Sequence, residues 1–141
     1  MRLPDGVTEI AGANHDGRKY PHRELTEAII GCAIAVHREL HAGYVEGIYE
    51  NALLHELEKR GLRVERQKRL PVHYDGVLVG EHRADLIVED KVVVELKAVT
   101  EYTDQHVAQL MSTIRAAGMQ VGLLINFHQA RLVNGVKRIV M

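Results

Sequence analysis

The stretch Arg83–Lys97, RADLIVEDKVVVELK, constrains this chain more than any other. Two runs rich in Val and Ile, Ala84–Val88 and Val92–Val99, flank a polar turn at Glu89-Asp90-Lys91. Such residues favour a pleated, half-buried surface, so the stretch predicts a β-hairpin. Its apolar ribbon carries three charges that a plain core ribbon would lack: Asp85, Glu95 and Lys97. Side chains alternate along a strand. Glu95 and Lys97 therefore share a face with Val93, and Val92, Val94, Leu96 and Ala98 take the other.

Loop length decides where Asp85 falls. A three-residue loop, Glu89–Lys91, sets Val88 opposite Val92 and Asp85 opposite Glu95, with Cβ atoms roughly 4.5–5.5 Å apart. A two-residue loop would pair Asp85 with Leu96 and send the acids to opposite faces. Two carboxylates that close repel unless a cation or a shared proton lies between them. A cation there, beside Lys97, suits phosphodiester hydrolysis. The plainer alternative is a surface hairpin with a Glu–Lys pair, but Val92-Val93-Val94 reads as buried on both faces.

The 141 residues fit one domain with a real core. A hydrophobic share of 46% and a charged share of 26% are those of an ordinary globular protein. The longest uncharged apolar run, Ala28–Val36, falls short of the roughly 20 residues that span a bilayer. The opening MRLPDGVTEI lacks the build of a signal peptide. The lone cysteine, Cys32, lies among apolar residues and reads as a buried structural thiol. A cytoplasmic protein without membrane contact is expected.

Net charge is −1, which argues against strong non-specific nucleic-acid binding. Its distribution is uneven. Lys59, Arg60, Arg63, Arg66, Lys68 and Arg69 crowd one short stretch. They would either hold phosphates or guard a solvated strand edge. The nine histidines read mostly as surface residues rather than zinc ligands.

Residues 1–22, rich in polar groups, suggest a loose arm ahead of a single domain at 23–141. A first helix is expected at Leu25–Leu40, capped by Thr26 and closed near Gly43, with Ile29, Ala33, Val36 and Leu40 on its core stripe. A second is expected at Glu46–Arg60, with Tyr49, Leu53 and Leu57 inward. On the helical wheel Glu46 lies about 20° from both leucines, so it aims a carboxylate along the inward face. Either it reaches the cation of Asp85 and Glu95, or it lies in the first turn, facing water and complementing the helix dipole. Strand structure follows over Leu62–Val79, with an edge or bend at Pro71 and a turn at Asp75-Gly76. A third helix, Thr103–Ala117, has Thr103 as cap, Gly118 as stop and Val107, Leu110, Met111 and Ile114 as its stripe. Gln109 lies off that stripe. Gly122–Ile125 reads as a buried strand, and Asn134-Gly135 as a turn between strands at Arg131–Val133 and Val136–Val140.

The order of elements, with D-x9-E-x-K across a hairpin and an acid on the preceding helix, resembles the PD-(D/E)xK nuclease superfamily. Gly43-Tyr44-Val45-Glu46-Gly47-Ile48-Tyr49 resembles the signature of its GxxExxY branch. RADL, VELKAV and GLLINF add to the likeness, which runs from about Leu25 to the end. The resemblance implies an α/β (α+β) fold with a restriction-endonuclease-like core, a mixed central β-sheet flanked by helices. It implies Mg2+ or Mn2+ held by Asp85 and Glu95, with Glu46 as the helix-borne acid. Lys97, expected to stay protonated beside the acids, would orient water and stabilise charge on the phosphate. Gln109 would match the helix glutamine of the Q-x-x-x-Y motif. Thr113 stands where that motif has tyrosine, and Ala84 where the proline would precede Asp85. The implied partner is nucleic acid, DNA ahead of RNA. A second reading keeps the fold as a nucleic-acid-binding or regulatory module with little or no catalysis. A third is an oligomerisation domain, since edge strands and the apolar first helix would support a homodimer.

Overall fold

The computed structural model describes residues 2–11 and 20–141. Six strands form one mixed sheet: β1 (Thr8–Ala11), β2 (Val64–Tyr74), β3 (Val77–Val88), β4 (Val92–Lys97), β5 (Val121–Asn126) and β6 (Val136–Val140), in the spatial order β1-β6-β5-β4-β3-β2. Only the β4–β5 pair is parallel, crossing over through a helix; the other pairs are antiparallel. Helices α1 (Arg23–Leu40) and α2 (Glu46–Lys59) cover one face, and α3 (Asp104–Ala117) covers the other. This is the α+β fold, a mixed central sheet flanked by helices, that the sequence implies. No helix among the described residues is long and apolar enough to cross a membrane.

Strand alternation divides the core in two. Leu86, Val88, Val92, Val94, Leu96, Leu123 and Ile125 pack with α1 and α2 around Ile29, Ala33, Leu53 and Leu57. Ile87, Val93 and Leu124 pack with α3 around Val107, Leu110, Met111 and Ile114. Burying an aliphatic side chain of this kind contributes about 1.5–3 kcal/mol. Cys32 lies in the first cluster, and burial raises its thiol pKa, as befits a packing residue. α3 comes so close to the sheet that a Cβ on Gly122 would lie 2.7 Å from Cδ1 of Ile114.

Several sequence expectations change. Part of the arm expected over residues 1–22 is ordered: Thr8–Ala11 adds an edge strand beside β6. Residues 12–19 of that arm lie outside the described residues. α1 starts at Arg23, so Thr26 is not its cap; it is buried in the first turn and donates to the carbonyl of Arg23. His41 rather than Gly43 closes that helix. The two strands expected at Val77–Val79 and Ala84–Val88 are one continuous strand, β3, held by pairing to β2 along its length. Asn134-Gly135 joins no hairpin. Leu132–Gly135 is a 3-10 turn, and Gly135 is needed because a Cβ there would come within 2.5 Å of the Asn126 carbonyl oxygen.

Candidate metal and phosphate site

The site begins as a fork in the sheet. β3 pairs with β4 only over Leu86–Val94, Ile87–Val93 and Val88–Val92. The loop is therefore the three residues Glu89–Lys91, and Glu89 and Asp90 take the left-handed φ values of 55° and 53° that the tight turn needs. Beyond Leu86, β3 stays with β2 while β4 stays with β5. One step further in that register lie Asp85 and Glu95. No ladder pair forms there. The amide of Leu96 donates instead to Oδ2 of Asp85 at 2.9 Å, so the carboxylate plugs the fork. β2 is irregular at the same level. Gln67, between the pairs Arg66–Leu86 and Lys68–Ala84, has φ 51°.

Glu95 is held from the other side. Thr113, buried on α3, donates from Oγ1 to Oε1 of Glu95 at 2.8 Å. Nε2 of His82 lies 2.6 Å from the same hydroxyl. The Gln109 carbonyl is 2.9 Å from it, the usual back-bond of a helical threonine. Asp85 and Glu95 are both buried. Burial first, and then the charge of Asp85, push the Glu95 carboxyl up to about 8, against the pull of Thr113 and Lys97.

A cleft of about 410 Å³ opens on this pair, lined by Glu46, His82, Arg83, Asp85, Glu95, Lys97 and Gln109. Glu46, exposed as a residue, is the first residue of α2. Its carboxyl is raised by burial and by Asp85, and lowered by Lys97. All five site residues singled out in the sequence thus border one cleft. The three acids do not close into a cage: no three His, Cys, Asp or Glu side chains among the described residues are grouped to hold a metal ion. Asp85 and Glu95 form a close pair, and Glu46 stands apart on the rim.

The turn before α2 explains why Glu46 is there. Gly43 has φ 126°, a value that favours glycine. Tyr49 is fully buried, stacked on Phe127 at 4.5 Å between ring centroids. Its hydroxyl donates to the His41 carbonyl at 2.5 Å and accepts from the Tyr44 amide at 3.1 Å. Glycine, glutamate and tyrosine at this spacing therefore make a turn, an acid and a tether for that turn.

Sequence reasoning missed His82, and it met Thr113 only as the residue standing where the motif has tyrosine. Thr113 also adjoins the α3 stripe between Leu110 and Ile114, where a hydroxyl is a further signal. The basic run at 59–69 is mostly committed elsewhere. Lys59, Arg63, Arg66, Lys68 and Arg69 pair with Glu56, Glu89, Glu50, Glu65 and Glu81 at 2.8–3.7 Å. The arrangement is a charged edge, with Arg60 against Gly31 of α1.

A family model described as the PD-(D/E)XK nuclease superfamily matches residues 23–139. No curated protein matches the chain, and no solved structure does.

Proposed function

Since the chain belongs to the PD-(D/E)XK nuclease superfamily, we propose that it hydrolyses phosphodiester bonds of nucleic acid, DNA ahead of RNA, with Mg2+ or Mn2+ bound at the Asp85–Glu95 pair. The observation that carries this reading is the pair itself, two buried carboxylates crowded into a fork of the sheet beside Lys97. Burial and mutual repulsion leave the pair needing a positive partner. A proton serves when no metal is bound. A small hard dication with oxygen preference suits the same place better, because it neutralises both acids at once.

Asp85 and Glu95 would hold the ion, and waters would complete its shell. When bound, it would lower the pKa of a water ligand and offset charge building on the phosphate. Thr113 and the Leu96 amide each occupy a carboxylate oxygen, which fixes how the acids face the cleft. The Lys97 ammonium would stabilise the phosphate's developing charge. Glu46, on the rim, would position water or an outer ligand, and Gln109 would contact the nucleic acid from α3. The Gly43–Glu46–Tyr49 turn supports membership of the GxxExxY branch.

Cleavage of labelled single-stranded and duplex oligonucleotides, with Mg2+, Mn2+ or EDTA, tests the proposal. Metal-dependent products are expected, and Asp85→Asn and Lys97→Ala should each remove them. Either variant cutting at the wild-type rate would reject the assignment. Binding without cleavage under every metal would favour the non-catalytic module.

A further inference from the structure

A second cavity, of about 560 Å³, lies where the turn-proximal half of the β2–β3 hairpin meets α3. Pro71, Val72 and His73 of β2, His82 of β3, and Ser112 and Arg115 of α3 line it. His82 also lines the acidic cleft, so the two spaces meet at one side chain. Nothing in the proposed hydrolysis uses this cavity.

Its lining combines three chemistries. Pro71, Val72 and the imidazole rings offer flat or apolar surfaces. Ser112 and His73 offer hydrogen-bonding groups for a polar edge. Arg115 offers a cation. It is exposed on α3 and has no ion pair or side-chain hydrogen bond among the described residues, unlike five of the six basic residues at 59–69. An apolar and aromatic wall, a polar edge and an uncommitted arginine together match a nucleotide whose base is out of the stack. A base inside a duplex has both faces covered by neighbours and would present nothing to this wall.

We propose that this cavity is a nucleotide subsite that seats one unpaired nucleotide beside the phosphodiester in the acidic cleft, with Arg115 on a phosphate and His73 against the base. The preferred substrate is then a single strand, a flap or a frayed end rather than blunt duplex. This rests on the nuclease reading only for the identity of the neighbouring cleft; binding is measurable without cleavage.

The test is fluorescence anisotropy in EDTA with the full chain and three probes: a labelled dT 12-mer, a U 12-mer and a blunt duplex. Both single strands should bind more tightly than the duplex, and the two 12-mers separate DNA from RNA as the source. His73→Ala should weaken single-strand binding about tenfold, the loss of one stacked base. Arg115→Ala should lower the slope of log affinity against log salt by about 0.7, one phosphate contact. Lys59→Ala, already paired with Glu56, is the control and should change neither. Equal binding of duplex and single strands, unaltered binding in both His73→Ala and Arg115→Ala, or no binding of any probe would overturn the subsite. Parallel cleavage in Mn2+ separates the two claims. Wild type that binds with this dependence but never cuts sinks the nuclease reading and keeps the subsite. Cutting by wild type with binding indifferent to both variants sinks the subsite alone.

Discussion

Thr113 of α3 donates a hydrogen bond to Glu95 of β4 across 2.8 Å, joining the helix on one face of the sheet to the buried acid beneath it. The bond satisfies an oxygen that burial would otherwise leave costly. Thr113→Val keeps the shape and removes the hydroxyl. It should cost about 1–3 kcal/mol of stability in denaturant melts, and it should weaken Mn2+ binding. Thr113→Ser should restore most of both. A Val variant with wild-type stability and metal affinity would show that the bond does not position Glu95.

Stability in metal-free buffer should depend on pH through the same carboxyl. Its folded value is about 8 against an ordinary 4.5, so between those values the folded protein keeps a proton that the unfolded chain has released. The contribution is fully present below about pH 4.5 and is lost as pH rises through about 8. Melts of wild type and Glu95→Gln at pH 5, 7 and 9 in EDTA isolate it. Wild type should lose stability relative to the variant as pH rises. Mn2+ affinity should move the opposite way, strengthening with pH, because the ion displaces that proton. A wild type that gains on the variant with rising pH would contradict the assignment.

Tyr49 tethers the turn that launches Glu46. Tyr49→Phe keeps the stacking on Phe127 but removes the bonds to His41 and Tyr44. A loss of about 1–2 kcal/mol is expected for the hydroxyl, since it serves two backbone groups. Cleavage should fall further than stability alone explains when assayed well below the melting temperature. Unchanged cleavage with reduced stability would make Tyr49 a packing residue only.

Gly122 permits the close seating of α3. Gly122→Val would drive carbon into Ile114 and Leu110, costing about 1–3 kcal/mol by overpacking. The shift of α3 should also carry Thr113 and Gln109 away from the cleft. Chemical denaturation together with Mn2+ titration measures both effects; a variant unaffected in each would show that α3 has room to spare.

The hairpin was legible in the sequence, but its register was not. Valine-rich runs mark the two strands, whereas the polar turn fits a loop of two or of three residues, and the three-residue loop of the structure is what brings Asp85 towards Glu95. Helical spacing identified the buried faces of α2 and α3, and Thr103 does cap α3. What stayed hidden depends on partners distant in the chain. Thr113 stood out only as a missing tyrosine, because its partners Glu95 and His82 come from other elements. The basic run at 59–69 left phosphate binding and a guarded strand edge undecided, because nothing local discloses that Arg66 meets Glu50 or that Arg63 meets Glu89. The Asn134-Gly135 pair carries a turn signal, yet its glycine answers to close packing against Asn126. β1 was missed because four residues in a polar stretch carry too little pattern to announce an edge strand.

The most direct test of the metal-binding fork is calorimetric titration of Mn2+ into the metal-free protein at pH 8.5. A saturable site is expected, lost in Asp85→Asn and in Glu95→Gln and retained in Lys59→Ala. No heat from wild type, or the same isotherm from wild type and Asp85→Asn, would contradict it.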